Sequence, residues 1–479
     1  CILPHGVLFR GNAEAIIRQR LVRSGILKGI IGLPANLFYG TGIPACILVL
    51  DKDGAAGRKG IFMVDASKGF IKDGNKNRLR AQDIHKIVDT FNRQLETPKY
   101  SRMVPLAEIE ANDFNLNLPR YIDSTEPEDV QDIEAHLKGG IPNADIDRLA
   151  AYWQVFPGVR GELFADADRP GYSQPKVDAS EIKATIFAHP EFTAFNQQVS
   201  ALYAYWKATN TPLLTGIKQG DRPKLLIETL AENLLETFRS GEAIASLIDP
   251  YGVYQHLMDY WAETMQDDAW MIASDGWAAT VDGKNNVDLT PPALIVAHYF
   301  AAEQAAIEQR EAERDAISRQ MEEMDEEHGG EDGLLAEAKN DKGKITKATV
   351  KARLAEIKHD KDAADERKLL NAYADLIEQE AAASKTVKDA QRALDTKVAA
   401  QYAKLTEAEI KALVVEDKWL AVLAGSVQGE LDRVSQALTG RIRQLAERYA
   451  TPLPRLAEEV ETLAGRVDDH LKKMGFVWQ

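Results

Sequence analysis

The chain has 479 residues, 45% of them hydrophobic and 28% charged, which suits two to four soluble globular domains with real cores. No run of eighteen apolar residues occurs, which argues against a membrane-spanning helix, and no basic stretch leading into an apolar run marks a secretory signal. The net charge of -16 is unevenly spread: residues 1–105 carry 17 basic and 8 acidic side chains, a net +9, against -25 for the rest, so a polyanion would favour the first part alone.

The chain opens at Cys1 inside the apolar run Cys1-Ile2-Leu3, which reads as the middle of a strand. The expectation is that the true N-terminus lies upstream. Two cysteines, Cys1 and Cys46, make neither a disulfide framework nor a metal site, and Cys46 within Ala45–Leu50 reads as a small core residue. A reducing cytoplasm fits.

Short apolar runs then alternate with one amphipathic segment. Ile2-Leu3 and Val7-Leu8 bracket a turn at Pro4-His5-Gly6, and Glu14, Ile17, Arg18 and Leu21 give helical spacing up to a stop at Gly25. Gly29–Leu33, Ala45–Leu50 and Ile61–Val64 read as strands. The order β-α-β-β-β is the closing end of a doubly wound sheet rather than a whole one. A helix is expected over Ala81–Leu95, then an irregular stretch ending at Leu116–Tyr121, and short helices over 126–165 joined by a turn at Gly139–Pro142. Arg169-Pro170-Gly171-Tyr172 reads as a linker, and 178–300 as helical and aromatic-rich.

The last 180 residues read as long helices. Leu369, Tyr373, Leu376, Ala383, Val387, Leu394, Val398 and Leu405 follow a 3-4 spacing that Glu380, Gln391 and Gln401 interrupt. Asp325–Lys347, glycine-rich and charged, reads as a flexible loop between the arms of a coiled coil. Thr406 and Glu409 form a capping-box signature. Val427, Leu431, Val434, Leu438 and Leu445 make one stripe, and Leu456, Val460, Leu463, Val467, Leu471 and Met474 another; the break at Thr451–Pro454 would let the two helices turn back on each other. Domains are therefore expected at 1–105 (α/β), 106–175 (connector), 176–300 (aromatic-rich helical) and 301–479 (long helices).

Several segments together carry a resemblance. Cys1-Ile2-Leu3-Pro4-His5-Gly6-Val7-Leu8-Phe9-Arg10, Gly32-Leu33-Pro34-Ala35-Asn36-Leu37-Phe38 and Thr41-Gly42-Ile43-Pro44-Ala45 resemble the modification (M) subunits of type I restriction-modification systems. So do Asn115–Tyr121, His136-Leu137-Lys138-Gly139-Gly140-Ile141-Pro142, Tyr254–Trp261 and Glu416-Asp417-Lys418-Trp419. The resemblance implies an S-adenosylmethionine-dependent adenine-N6 DNA methyltransferase. Its fold would be the C-terminal part of a Rossmann-like sheet followed by a mainly helical region with coiled-coil helices. It implies a cytoplasmic complex of two M subunits and one specificity (S) subunit that chooses the DNA sequence, with a restriction (R) subunit as a further partner.

In that family the cofactor's glycine-rich loop and an Asn-Pro-Pro-aromatic motif precede the Leu-Pro strand, and neither occurs in this sequence. Thr290-Pro291-Pro292-Ala293 and Asp249-Pro250-Tyr251 lack its elements and read as turns. No catalytic residue is therefore expected in this chain, and the fragment alone should be inactive. The resemblance places Phe38 against the extruded target base, where stacking replaces the lost neighbours, and Leu3 and Pro4 beside the cofactor's adenine.

Lys68, Lys72, Lys76, Arg78 and Arg80, spaced by glycines and asparagines, form a basic loop suited to DNA phosphates, with Lys72, Lys76, Arg78 and Arg80 as the DNA-backbone contacts. His256, Asp259 and Glu263 share a helix face but read better as its polar side than as metal ligands. The long helices read either as an S-docking region or as a self-contained bundle. A non-catalytic coiled-coil scaffold with a small α/β head is the alternative function; an ATP-driven motor lacks its phosphate-loop motif.

Overall fold

The computed structural model describes residues 1–125, 128–331 and 333–476. They form two compact units: Cys1–Pro212 with Lys224–Met265 and Leu423–Gln479, and Leu213–Pro223 with Gln266–Val422.

The first unit begins with a five-stranded mixed sheet in the order β1-β3-β2-β4-β7: β1 (Ile2–Pro4), β2 (Leu27–Gly32), β3 (Ala45–Leu50), β4 (Gly60–Asp65) and β7 (Ser101–Pro105). Only β2 and β4 run parallel. β4 is buried along its whole length, as a central strand covered on both faces must be. Its alternate side chains feed two cores. Ile61 and Met63 join Leu8, Val22, Ile30 and Leu116 on the side of α1 (Asn12–Arg23), while Phe62 and Val64 join Ile31 and Ile87 on the side of α2 (Ala81–Arg93). Gly29 makes the second face possible, because a Cβ there would overlap the Phe91 ring of α2. β1 bonds to β3 with Leu3 opposite Cys46 and Pro4 opposite Ala45, and among the described residues no strand pairs with its other edge. Ile2 and Leu3 are exposed there.

The expected β-α-β-β-β order is present, and the turn read at Pro4-His5-Gly6 is a 3-10 helix over His5–Leu8. Cys46 is fully buried, and burial pushes its thiol up to about 11. The irregular stretch expected after Leu95 instead holds β7, paired antiparallel with β4, and α3 (Leu106–Ala111). A two-stranded hairpin, β5 (Ile71–Asp73) and β6 (Lys76–Arg78), stands between β4 and α2. Farther on, α4 (Ile133–Lys138) leads into a small sheet of β8 (Ile141–Pro142), β9 (Phe164–Asp166) and β10 (Tyr172–Pro175). Arg169–Tyr172 is thus the tight turn joining β9 to β10 rather than a linker, with Gly171 in the left-handed region.

The helix Pro250–Tyr260 packs on α2: Gln255 Oε1 accepts from the Gln82 amide (2.9 Å), Lys86 pairs with Asp249 (3.2 Å) and the His85 ring stacks on Tyr254 (4.9 Å). Pro250 occupies the first turn behind an Asp249 cap, so Asp249-Pro250-Tyr251 starts a helix rather than a turn. In the helix Ala421–Arg448 the expected stripe Val427, Leu431, Val434, Leu438 and Leu445 is buried. The next helix, Leu453–Lys473, buries none of its residues, and instead of folding back on its predecessor it has the start of its run near α4.

In the second unit the helices Ala301–His328 and Ala364–Gln401 pack against each other, with Glu303 and Lys397 paired at 3.1 Å. The 325–347 segment, expected to be flexible, contributes to a core; Asp332 lies outside the described residues. Leu335 and Ala338 are buried with Val350, Leu370 and Tyr373 in a core of their own. The Thr406–Glu409 capping box forms as read. Pro292 opens the helix Pro292–Tyr299, so that proline pair too is a helix start. Trp419 and Lys418 of a π-helical segment, Ala412–Leu420, both bond the buried Asp268 carboxylate, at 2.8 and 2.7 Å. The Glu416–Trp419 motif is therefore a packing device, and burial pushes the Asp268 carboxyl above its ordinary range.

Candidate functional site

The β2–β3 connection, residues 33–44, has no regular structure of its own. It is closed at its base by Leu33 N–H donating to Ala45 O (2.9 Å) and by His5 N–H donating to Pro44 O (2.9 Å) from across β1. Asn36, in the left-handed region, turns the loop and donates its amide to Gly42 O (3.3 Å). At the tip, Tyr39 is 95% exposed while Phe38 is only 36% exposed.

Phe38 folds back over β1. Together with Ile2, Leu3, Pro4, Thr41, Ile43 and Ala45 it lines a cavity of about 210 Å³. The three residues assigned to the base and cofactor from the sequence, Phe38, Leu3 and Pro4, are thus brought into one pocket. That volume is below the roughly 300–1,000 Å³ of a drug-sized ligand site, so it suits a flat ring rather than a whole cofactor. The lining is apolar, and its one hydroxyl, Thr41 Oγ1, accepts from the Ile43 amide at 3.1 Å. No lining side chain can take or give a proton near neutral pH. The pocket can stack and desolvate a ring but cannot perform acid–base or nucleophilic chemistry. His5 beside it is kept below its ordinary range by burial, against the pull of Asp65.

A second apolar cavity of about 210 Å³ adjoins it under α1, sharing Leu3 and lined by Val7, Ile17, Leu21 and Leu48. Arg18 closes one side; its guanidinium donates to Val7 O, Arg10 O and Phe114 O at 2.9, 2.7 and 3.2 Å. Sequence spacing identified Arg18 only as a helical residue, since carbonyl acceptors leave no sequence signal.

The four cations assigned to DNA have different surroundings. Lys72 is exposed, 5.8 Å from the Phe70 ring. Arg78 pairs with Asp73 across the hairpin at 3.1 Å, both well exposed. Arg80 is held by both oxygens of Asp83 (2.9 and 3.0 Å) in the cap of α2. Lys76 reaches the pocket loop, donating to Phe38 O (2.9 Å) and Thr41 O (3.0 Å). Its neighbour Asn77, buried and absent from the sequence assignment, donates to Ala35 O (2.7 Å) and, through its amide, to Asn36 O (2.9 Å). His256 bonds Glu430 at 3.0 Å and Asp259 accepts from Gln255 at 2.6 Å, so these do not converge on a common centre.

Residues 1–130, which hold the sheet, the pocket and the hairpin, match the N-6 DNA Methylase family. The match covers the first part of the chain. The type I restriction enzyme MjaVII methylase subunit of Methanocaldococcus jannaschii is 36% identical over 141 residues, 29% of this chain and 24% of that protein. The MpnII methylase subunit of Mycoplasma pneumoniae is 34% identical over 129 residues, 27% of this chain and 24% of that one. The chain thus spans about a quarter of the length of the curated relatives it matches. A solved type I restriction-modification methyltransferase subunit from Streptococcus thermophilus is 41% identical over 26% of each chain, with a TM-score of 0.25. The resemblance to type I methylase subunits, first carried by short motifs, is borne out by these matches.

Proposed function

We propose that this chain serves in the M subunit of a type I restriction-modification system, transferring a methyl group to the N6 amine of adenine in DNA. The gathering of Leu3, Pro4 and Phe38 around one ring-sized apolar cavity carries the reading. An adenine amine is paired inside the duplex, so the base must be extruded before it can react. Phe38 then offers a face on which the extruded base stacks, returning about 1–3 kcal/mol of what unstacking costs.

S-adenosylmethionine supplies the reactive methyl group when bound. A cavity sized for one ring is filled by the extruded base, and nothing in its lining would meet the cofactor's ammonium or carboxylate, so the place of Leu3 and Pro4 beside the cofactor's adenine rests on the family resemblance alone. The chain's own part is to form one wall, exclude water and hold the base. The sequence has no Asn-Pro-Pro-aromatic motif, so in this reading the chain's residues shape the pocket and do not supply the catalytic amide. Lys72, Lys76 and Arg78 of the hairpin face the DNA backbone, with Arg80 contributing less because Asp83 engages its fork.

The partners follow the same reading. The exposed stripe Leu456, Val460, Leu463 and Val467 is a surface on which S-subunit helices would pack in a coiled-coil manner, in a complex of two M subunits and one S that an R subunit joins. No helix of the described residues is long and apolar enough to cross a membrane, and a cytoplasmic enzyme acting on the cell's own DNA is consistent with that.

The test is methyl transfer from radiolabelled S-adenosylmethionine to DNA by the full-length subunit assembled with its S subunit. Phe38→Ala should lower kcat/KM by about 5- to 150-fold, the kinetic equivalent of one lost stack, and residues 1–479 alone should label no DNA. Full activity of Phe38→Ala would remove the basis for the reading.

A further inference from the structure

The β5–β6 hairpin is too short to be stable alone, since a two-stranded ribbon in water is marginal. It is fastened by four hydrogen bonds to a single target, the irregular loop that carries Phe38. Asn77 donates its amide to Asn36 O and its side chain to Ala35 O; Lys76 donates to Phe38 O and Thr41 O. The acceptors lie just before Phe38, on it and just after it. Within the loop itself two hydrogen bonds among the described residues oppose unravelling, Asn36 to Gly42 and Ile43 to Thr41, beside the packing of Leu37 on the core. The position of the Phe38 ring over β1 is therefore set largely from outside, by the hairpin.

Both partners of Lys76 are neutral carbonyls, and no ion pair forms at Lys76 among the described residues. Two of its three ammonium protons are engaged; the third, with the full positive charge, stays available. Lys72 and Arg78 stand exposed on the same hairpin. One small element thus joins a phosphate-binding surface to the backbone of the stacking residue.

We propose that Lys76 and Asn77 are positioning residues for Phe38, and that the β5–β6 hairpin couples DNA-backbone binding to the placement of the ring on the extruded base. The inference rests on the base-pocket reading of Phe38. DNA phosphates drawn to Lys72, Arg78 and the third proton of Lys76 hold the hairpin, and the hairpin holds the loop.

The experiment uses the full-length subunit assembled with its S subunit, with unmodified DNA to measure turnover and, separately, DNA with 2-aminopurine at the target adenine, which has no N6 amine to methylate, to follow the extruded base by fluorescence. Lys76→Met keeps the aliphatic stem and removes the donors; the site is at the surface, so folding should survive. Displacing a positioning element typically costs up to about a hundredfold in rate, so kcat should fall by roughly ten- to a hundredfold. The quenching of the extruded 2-aminopurine on Phe38 should weaken, and Lys76→Arg should restore both. Asn77→Ala should reproduce the loss, and should also speed amide hydrogen exchange at residues 36–42.

A residue that only contacts phosphate behaves differently. It would raise KM, leave kcat and the quenching intact, and flatten the salt dependence of binding by about one counterion. That pattern for Lys76→Met overturns the proposal. Phe38→Ala separates the two failures: if it impairs transfer and Lys76→Met does not, the brace is wrong and the pocket stands; if Phe38→Ala is harmless, the pocket reading itself falls.

Discussion

Two neighbouring helices carry the same sequence pattern and meet opposite fates. In Ala421–Arg448 the stripe Val427, Leu431, Val434, Leu438 and Leu445 is buried, and the helix is tied down by polar contacts along its length. Glu430 accepts from His256 at 3.0 Å, Arg441 and Arg448 grip Asp129, and the Tyr449 hydroxyl just beyond its end donates to Asp145 at 3.2 Å. In Leu453–Lys473 the equally regular stripe stays open, with Val460 64% and Val467 56% exposed. A 3-4 repeat specifies a helix and the face it would bury, but not whether a partner lies within the same chain. The difference separates the part of the first unit that holds itself together from a part available to something else.

The largest effect that could sharpen this contrast belongs to the buried stripe. Leu438 is fully buried, and Leu438→Ala should destabilise the first unit by about 2–5 kcal/mol, the range for a core Leu cut to Ala. Denaturant unfolding followed by far-UV circular dichroism measures it. A loss below about 1 kcal/mol would mean that the stripe is as loosely held as its neighbour.

The legibility of the sequence divides along similar lines. β2, β3 and β4 were readable because apolar runs bounded by Gly and Pro need no knowledge of a partner, and α1 and α2 because their apolar spacing is helical. β7 was not: of Ser101–Pro105 only Ser101 and Val104 are buried, and its pairing partner β4 lies some forty residues back. The 325–347 segment misled because its charges and glycines hide Leu335 and Ala338, which find their core only when two distant helices close around them. At the candidate site, composition gave a basic loop, which the structure shows to be a hairpin, and the resemblance alone gave Leu3, Pro4 and Phe38. Asn77 and the second role of Lys76 were invisible, because a bond to a backbone carbonyl depends on where the loop runs and not on which residue forms it.

A smaller effect tests how the buried helix is anchored. Arg441 and Arg448 hold the Asp129 carboxyl well below the usual carboxylate range through hydrogen bonds and charge. A lowered folded-state value means the ionised form is the one stabilised. The contribution is fully present above the unfolded carboxylate range near pH 4 and fades as the pH falls below it. Because the carboxyl is 41% exposed, solvent screening keeps the effect small. Hydrogen exchange at the C-terminal turn of Ala421–Arg448 should accelerate between pH 5 and pH 3 beyond the intrinsic trend, and Asp129→Asn should show the faster exchange already at pH 7. An identical pH response in both proteins would locate the anchor elsewhere.

The smallest effect on stability could break the comparison outright. Leu463 is 54% exposed, and Leu463→Ala should change the unfolding free energy of the chain by less than about 0.5 kcal/mol, as surface substitutions do. In the proposed assembly, binding to the S subunit should respond differently. A Leu removed from the centre of a coiled-coil seam loses its transfer free energy and leaves a hole, so affinity should fall at least about tenfold, or 1.4 kcal/mol. Stability and affinity would then move independently at Leu463, whereas at Leu438 a destabilised unit would lower both. If Leu463→Ala lowered the melting temperature as much as Leu438→Ala, the stripe would already be covered within the free chain. The two helices would then differ in name only, and the S subunit would have to dock elsewhere.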